Sequence, residues 1–237
     1  MQKDRGRYNA GAMGNAYFIT ATGTDCGKTF VAEGLARAWR AHGRKVRALK
    51  PVMSGYDPDH PGQSDAGRLL AACGDPITAG SVAGISPWRF AAPLSPDRAA
   101  RLDERRIDFD DLIAWCRREV LRADDMALVE GVGGLMAPLD DDNTVREWIV
   151  ALDLPVVLVT GTYLGAVSHA LTALAALREV GLTPAAMILN ESGEGVGLEH
   201  TFASLRAHTG SITPLLVGRN DADGIERAAA ALAASEF

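Results

Sequence analysis

The sequence predicts an α/β protein in which a doubly wound, mostly parallel sheet lies between helices as a three-layer sandwich. Six short apolar runs are strand-like, and segments with helical periodicity separate them. The runs are centred near residues 17, 46, 127, 156, 187 and 215. The 237 residues suit one domain, and 47% hydrophobic and 23% charged residues are typical of a globular chain rather than a disordered one.

The first half of the chain contains two predicted strands and three predicted helices. The strands are 16–21 and 45–50, and the helices are 28–41, 64–72 and 108–122. Gly43 lies just beyond the first helix, where a left-handed residue ends many helices, and Ser64 is the N-cap expected for the second. Residues 51–62 and 74–97 are rich in Pro and Gly, so we expect irregular structure there.

The second half alternates strands and helices more regularly. The predicted strands are 126–130, 154–160, 185–190 and 213–217, and the helices are 144–152, 165–180, 196–208 and 222–234. Parallel strands end at a common edge of the sheet, where ligands bind, so residues that directly follow strands are the candidates for function. Residues 1–14 are polar and lack an apolar segment, which predicts a disordered leader ahead of one domain at 15–237.

Composition excludes several classes of function. A net charge of −6 provides no overall attraction for nucleic acid or for an anionic membrane. No apolar stretch approaches 18 residues, so no membrane span is expected. Three widely spaced cysteines (Cys26, Cys73 and Cys116) argue against a disulfide framework and favour a reducing cytoplasm. The five histidines show no ligand pair that would indicate zinc.

The strongest motif is A-T-G-T-D-C-G-K-T at residues 21–29, between a predicted buried strand and a helix. Such a loop presents backbone N–H groups to phosphate, Lys28 would reach the β- and γ-phosphates, and the Thr29 hydroxyl would bind Mg²⁺. The strict pattern G-x-x-x-x-G-K-[ST] is not met, because Thr22 stands at its first glycine. The position of the loop nevertheless predicts a phosphate-binding loop (P-loop) and a P-loop NTPase-like sandwich.

Three further residues gain meaning only beside this loop. Lys50 follows the second strand in K-P-V-M-S-G, although alone it would be interpreted as a surface lysine. Glu130 ends a predicted buried strand and is followed by G-V-G-G. An acid in this position is suited to Mg²⁺ coordination beside a nucleotide. The alternative is a solvated acid at the end of a strand. Asp65 begins a helix and, taken alone, is a helix-dipole partner. Met136 breaks G-x-G-x-x-G, which disfavours a dinucleotide fold.

In this order and at these spacings, the motifs resemble those of the dethiobiotin synthetase family over residues 16–218. Residues 21–29 resemble G-T-x-T-x-x-G-K-T, with Ala21 at the leading glycine. The other matches are K-P-V-x-S-G at 50–55, S-D-A at 64–66, V-E-G-x-G-G at 129–134, L-G-x-x-x-H-A at 164–170, and Asn190. The resemblance implies a cytoplasmic ligase of biotin biosynthesis that converts 7,8-diaminononanoate, CO₂ and ATP into dethiobiotin, ADP and phosphate, with Mg²⁺.

The resemblance also implies roles for individual residues. Lys50, Lys28 and Thr24 would act in catalysis, and Thr24 and Ser54 would contact the diamine substrate. Thr29, Asp65 and Glu130 would hold Mg²⁺. The set that would bind ATP is Asp25, Cys26, Gly27, Lys28, Thr29, Phe30, Asp65, Glu130, Gly131, Val132, Gly133 and Asn190. The family further implies a homodimer in which the segment 164–170 completes the substrate site of the other subunit.

Three other interpretations share the P-loop. A ParA/MinD-type ATPase switch would carry K-G-G-x-G-K-T, but Gly23 stands at the position of its first lysine. A cobyrinate-type amidoligase needs an additional glutaminase domain, for which 237 residues leave no room. A non-catalytic nucleotide-binding module would bind ATP without responding to the diamine. ATP hydrolysis measured with and without diamine distinguishes these classes.

Overall fold

The computed structural model describes residues 15–192 and 195–234, so the predicted leader at 1–14 lies outside the described residues. The strands are β1 (Ala16–Ala21), β2 (Val46–Leu49), β3 (Val52–Ser54), β4 (Trp88–Phe90), β5 (Met126–Glu130), β6 (Val156–Thr160), β7 (Ala186–Asn190) and β8 (Leu215–Val217). Six of them form a parallel sheet in the order β2-β5-β1-β6-β7-β8. The predicted doubly wound sheet is confirmed, with β1 and its P-loop near the centre.

Nine helices occur in the described part of the chain. They are α1 (Lys28–Ala41), α2 (Asp65–Cys73), α3 (Ala79–Ile85), α4 (Pro96–Leu102), α5 (Phe109–Val120), α6 (Val145–Leu152), α7 (Ala166–Glu179), α8 (Leu198–Arg206) and α9 (Ala222–Ala233). Among these residues, no helix has both the length and the apolar character needed to span a membrane. The caps predicted from sequence form locally: Ser64 accepts a hydrogen bond from Gly67 N at 3.1 Å at the start of α2.

Helices cover both faces of the sheet, as two neighbouring residues of β1 demonstrate. Tyr17 stacks on Trp39 of α1 at a centroid distance of 5.8 Å. Phe18 meets Trp148 of α6 edge to face at 4.9 Å. Successive strand residues point to opposite faces, so α1 and α6 lie on opposite sides of the sheet. The arrangement is the predicted three-layer sandwich.

The last helix packs directly behind the first strand and the first helix. The Tyr17 hydroxyl donates a hydrogen bond to the Leu232 carbonyl at 2.6 Å, and Trp39 Nε1 donates to the Ala229 carbonyl at 3.0 Å. A Cβ atom at Gly34 of α1 would lie only 2.8 Å from the Ile225 side chain. The two helices therefore approach closely, and α9 supports the element that carries the P-loop.

The expectation of irregular structure at 51–62 and 74–97 is wrong. The first range contains β3 and the start of a 3-10 turn at Pro61–Gln63, and the second contains α3, β4 and the start of α4. The strands β3 and β4 form a separate parallel pair. Each is only three residues long, so periodicity could not reveal it, and α3 starts at a Thr78–Ser81 capping box that lacks the usual acid.

Candidate active site

The P-loop joins β1 to α1 and depends on glycine at position 27. Gly27 has a φ of 92°, in the left-handed region, and a Cβ atom there would collide with the Asn190 side-chain amide. No side chain caps the start of α1, and its first turn has no acidic residue. The backbone N–H groups and the positive end of the helix are therefore available to a phosphate.

Thr22 replaces the first glycine of the strict motif without backbone strain. Its φ is not in the left-handed region, and its N–H still donates to the Val159 carbonyl at 3.0 Å, as a strand residue would. The Thr22 hydroxyl donates to Thr160 Oγ1 at 3.3 Å and lies 3.4 Å from Cys26 Sγ. The Thr22 side chain thus connects the beginning of the loop to Cys26, within the loop, and to Thr160 at the end of β6.

Lys28 joins the P-loop to the glycine loop that follows β5. Its Nζ donates to the Gly133 carbonyl at 2.5 Å and to the Gly23 carbonyl at 3.2 Å. A Cβ atom at Gly134 would lie 3.1 Å from Gly23 Cα, so the two loops are in contact. Burial and the nearby Lys50 ammonium lower the pKa of Lys28 more than Glu130 raises it. An anionic phosphate would supply the negative charge that this ammonium lacks.

A buried ionic cluster lies beside the P-loop at the same edge of the sheet. Lys50 Nζ contacts Glu130 Oε1 at 2.6 Å, Asp65 Oδ2 at 2.9 Å and the Gly131 carbonyl at 2.9 Å. The Lys50 side chain is 2% exposed and that of Glu130 is fully buried. Burial alone would lower the pKa of Lys50, but the two carboxylates outweigh it and raise this pKa. Lys50 is therefore an ammonium at neutral pH.

The oxygen atoms of this cluster fit Mg²⁺. Glu130 Oε2 is buried and has no hydrogen-bond partner, whereas Oε1 accepts from the Thr29 hydroxyl at 2.7 Å. Burial raises the pKa of Asp65, but the charge and the hydrogen bond of the Lys50 ammonium hold it below its ordinary value. No group of three or more His, Cys, Asp or Glu residues able to hold a metal occurs in the described chain. Two carboxylates and a hydroxyl are nevertheless typical of Mg²⁺, which takes its other ligands from phosphate and water.

A cleft of about 490 Å³ opens beside the outer part of the P-loop. It is lined by Thr22, Gly23, Thr24, Asp25, Tyr163, His169 and Ser192. The Tyr163 hydroxyl and His169 Nδ1 are hydrogen-bonded at 2.8 Å, and Cys26 Sγ lies 4.0 Å from the same hydroxyl. A second cavity, of about 310 Å³, lies between α4 and the loop at 139–142 and contains no predicted site residue.

Comparison with known proteins decides the family. A family model described as an AAA domain matches residues 15–227. The ATP-dependent dethiobiotin synthetase of Acidiphilium cryptum is 52% identical over 200 residues, which cover 84% of this chain and 90% of that protein. This chain belongs to the dethiobiotin synthetase family. The ATP-dependent dethiobiotin synthetase of Caulobacter vibrioides is 47% identical over 203 residues, which cover 85% and 91% of the two chains.

Solved structures support the fold of this dethiobiotin synthetase family member. The hydrogenase maturation factor HypB of Archaeoglobus fulgidus has a TM-score of 0.58 at 14% identity, covering 94% of this chain and 90% of that one. The cell division ATPase MinD of Pyrococcus furiosus has a TM-score of 0.51 at 16% identity, covering 93% and 97%. These identities show the fold alone, and the P-loop NTPase-like prediction is confirmed. The sequence likeness lies with the dethiobiotin synthetases and does not support a ParA/MinD-type switch.

The structure brings most of the predicted dethiobiotin synthetase residues to one edge of the sheet. The two loops and the ionic cluster contain seven of these residues: Lys28, Thr29, Lys50, Asp65, Glu130, Gly131 and Gly133. Asn190 ends β7 and donates through Nδ2 to the Cys26 carbonyl at 3.2 Å, so it touches the loop directly. Ser54 ends β3, and its hydroxyl is buried with no hydrogen-bond partner.

The remaining predicted residues are more peripheral. Thr24 and Asp25 line the cleft, Phe30 is partly exposed on α1, and Val132 is buried between Gly131 and Gly133. Thr160 and Tyr163 also contact the P-loop, but both lie outside the family motifs. Thr160 ends β6, so the strand-end rule could have found it. No sequence signal indicated Tyr163, whose contact with His169 depends on the turn between β6 and α7.

Proposed function

We propose that this chain is an ATP-dependent dethiobiotin synthetase, a ligase of biotin biosynthesis that joins CO₂ to 7,8-diaminononanoate and closes a ureido ring. The observation that carries this proposal is the buried cluster of Lys50, Glu130, Asp65 and Thr29 beside a P-loop, in a chain of the dethiobiotin synthetase family. The cluster combines a fixed ammonium with oxygen ligands next to the expected position of the γ-phosphate. Phosphoryl transfer needs this combination of positioning and positive charge.

The synthetase reaction would proceed in three steps. One amine of the substrate adds to CO₂ and loses a proton, which forms a carbamate. A carbamate oxygen attacks the γ-phosphorus of ATP and ADP leaves, which forms a carbamic–phosphoric anhydride. The second amine attacks the carbonyl carbon and expels inorganic phosphate, so that the ring closes and the nitrogen loses its proton.

The two lysines would supply positive charge to the reacting phosphate. Lys28 lies between the P-loop and the loop after β5, so exchanging its carbonyl partners for phosphate oxygens requires only a small movement. Lys50 lies deeper and is oriented by three acceptors. We assign Lys28 to the β- and γ-phosphates, and Lys50 to the oxygen that passes between the carbamate and the γ-phosphate, for which Lys50 would exchange one of its three acceptors.

Thr29, Asp65 and Glu130 would hold Mg²⁺ through the Thr29 hydroxyl and the two carboxylates. When bound there, Mg²⁺ would neutralise charge on the phosphate oxygens of ATP. The unpartnered Oε2 of Glu130 supports this assignment, because a fully buried carboxylate oxygen without a partner is costly.

The substrate and the nucleoside are assigned to different residues in and around the P-loop. Thr24, on the cleft, and the unpartnered hydroxyl of Ser54 would contact the diamine end of the substrate. Asn190 would contact the nucleoside together with Asp25. Its Nδ2 is already used by the Cys26 carbonyl, which leaves its Oδ1 as the atom that accepts from a ligand.

A homodimer would complete the substrate site. Leu164 is 89% exposed at the start of α7, although it is a large apolar side chain in a motif shared with the family. Contact with a second copy of the chain would bury it, and the adjacent N-terminus of α7 would then face the substrate carboxylate. We also place the reaction in the cytoplasm, where ATP is supplied and where the three unpaired cysteines stay reduced.

The decisive experiment follows ring closure with labelled carbon. Purified protein is incubated with ATP, Mg²⁺, 7,8-diaminononanoate and ¹³C-bicarbonate, and mass spectrometry detects dethiobiotin with the label in its carbonyl. ADP should form in equal amount and only when the diamine is present. ATP hydrolysis that does not depend on the diamine would indicate a switch ATPase, and ATP binding without turnover would indicate a non-catalytic module.

A further inference from the structure

Helices α1 and α2 face each other through two polar contacts that lie one helical turn apart. Thr29 and Glu33 lie on one face of α1, and Asp65 and Arg68 lie on one face of α2, because residues three or four apart share a face. The first contact links Thr29 to Asp65 through Glu130 and Lys50: the Thr29 hydroxyl donates to Glu130 Oε1 at 2.7 Å, and Lys50 Nζ contacts Glu130 Oε1 at 2.6 Å and Asp65 Oδ2 at 2.9 Å. The second joins Arg68 to Glu33 Oε2 at 2.5 Å. The first contact belongs to the site proposed above, and the second has no role assigned so far.

Glu33 is a buried carboxylate that requires compensation. Its side chain is 7% exposed and has two arginine partners, Arg37 Nη2 at 3.1 Å and Arg68 Nη2 at 2.5 Å. Arg37 lies on the same helix as Glu33 and is 58% exposed. Arg68 comes from α2 and is 40% exposed. Both neutralise the same carboxylate, but only Arg68 joins the two helices.

Two other contacts hold α2 near its ends. Arg40 of α1 donates to the Ala72 carbonyl at 2.9 Å, near the C-terminal end of α2. At the other end, a Cβ atom at Gly67 would collide with the Pro61 carbonyl oxygen, so the helix packs tightly on the preceding turn. The contact at Gly67 ties the first turn of α2 to the preceding turn, and the pair formed by Glu33 and Arg68 ties this same turn, which carries Asp65, to α1.

We propose that Arg68 is a positioning residue that acts through Asp65: its ion pair with Glu33 holds the first turn of α2 against α1 and keeps the Asp65 carboxylate at the metal site. This inference rests on the proposed assignment of Thr29, Asp65 and Glu130 as Mg²⁺ ligands. Residues that orient metal ligands commonly change metal affinity when they are replaced, although they never touch the metal.

The matched pair of variants is Arg68→Gln and Arg37→Gln. Each removes one arginine from Glu33, but only Arg68→Gln breaks the contact between the helices. The probe is Mn²⁺ in place of Mg²⁺, titrated in the presence of a non-hydrolysable ATP analogue and followed by electron paramagnetic resonance. We expect the Kd for Mn²⁺ to rise about tenfold in Arg68→Gln and to stay within about twofold of wild type in Arg37→Gln. Affinity for the analogue without metal should not change in either variant.

Two further variants keep the test informative if Arg68→Gln does not fold. Glu33→Gln should raise the Kd for Mn²⁺ by a similar factor, and the Arg68→Gln effect should not add to it in the double variant, because both changes remove one interaction. Arg68→Lys preserves a charge that can reach Glu33 and should recover most of the affinity. Circular dichroism establishes that each variant is folded.

Three outcomes would overturn the inference while leaving the proposed function intact. The first is an equal affinity for Mn²⁺ in Arg68→Gln and Arg37→Gln. The second is additivity of the Glu33→Gln and Arg68→Gln effects in the double variant. The third is weaker binding of the analogue without metal, which would indicate general loosening of the site. A different result would overturn the metal assignment itself. In that case wild-type protein with the analogue would bind no Mn²⁺, or Glu130→Gln would bind it as well as wild type does.

Discussion

Replacing Lys50 with arginine preserves the charge at the centre of the ionic cluster and changes only its shape. The Lys50 ammonium has three N–H groups, and the structure supplies three acceptors at 2.6, 2.9 and 2.9 Å from Glu130, Asp65 and Gly131. A planar guanidinium directs its N–H groups in one plane and cannot converge on three acceptors around a single nitrogen. The site is also fully packed, because the side chain is only 2% exposed.

The expected loss of catalytic rate in Lys50→Arg follows from the misplacement of one hydrogen bond to a charged group. Such a bond contributes about 1.5–3 kcal/mol, and each 1.36 kcal/mol of lost transition-state stabilisation slows the reaction about tenfold. We therefore expect kcat to fall about 10²-fold in Lys50→Arg, which corresponds to about 2.7 kcal/mol. The P-loop and Lys28 are unchanged, so the affinity for ATP should change by less than about 1 kcal/mol.

Single-turnover formation of dethiobiotin, measured by quenched-flow and mass spectrometry, separates the chemical step from ATP binding. Lys45→Arg is the matched control, because Lys45 precedes the same strand but is 77% exposed and pairs only with Asp124 at the surface. It should turn over at the wild-type rate. A near-normal kcat for Lys50→Arg would refute the catalytic role, and weaker ATP binding at normal kcat would place Lys50 in nucleotide recognition instead.

Three other predictions concern the metal, the assembly and stability. Glu130→Gln should fold but lose most turnover, because the metal site loses its buried carboxylate; turnover within about twofold of wild type at saturating Mg²⁺ would contradict the assignment. Light scattering should give a particle of twice the 25.0 kDa chain mass, and Leu164→Asp should halve it; an active 25.0 kDa particle in the wild type would exclude the dimer. Burial raises the pKa of Glu119, but hydrogen bonds from Arg47 and Arg118 outweigh burial and hold this pKa below its ordinary value of 4.5. The ionised Glu119 therefore stabilises the folded state fully above pH 4.5, and this stabilisation is lost as the pH falls through the lower pKa of the folded state. Glu119→Gln should therefore lower Tm by about 2–4 °C at pH 7, with the difference closing in acid; a difference that persists at low pH would point to packing instead.

Most strands of the main sheet were predictable because they have four or more residues and show a period, whereas the three-residue β8 was predictable from its place between two helical segments. The strands β1 and β5 and the helix α1 match their predicted bounds, and the other strands of the sheet differ by two residues or fewer at either end. The strands β3 and β4 were not predictable, since three residues flanked by Pro and Gly carry no usable period. Their pairing depends on Val52 and Phe90 packing into the core, which only the folded chain shows.

The principal site residues were predictable from one rule, that ligands bind where parallel strands end. Lys50 and Glu130 each follow or end a strand, and the sheet order places β2 beside β5, so the two side chains meet. The pair formed by Glu33 and Arg68 has no such signal. It depends on how α1 and α2 pack, and neither the spacing of residues along one helix nor a family motif reports the register between two helices.

The hydrogen bonds from Tyr17 and Trp39 to α9 have a consequence for synthesis on the ribosome. The strand and helix that frame the P-loop leave the ribosome well before their hydrogen-bond acceptors, Leu232 and Ala229, which belong to α9. At about 5–20 residues per second, roughly 10–40 s separate the two segments during translation. Throughout that interval the N-terminal segment lacks the surface on which it finally rests, so the nascent chain acquires a fully supported nucleotide pocket only after α9 has been synthesised.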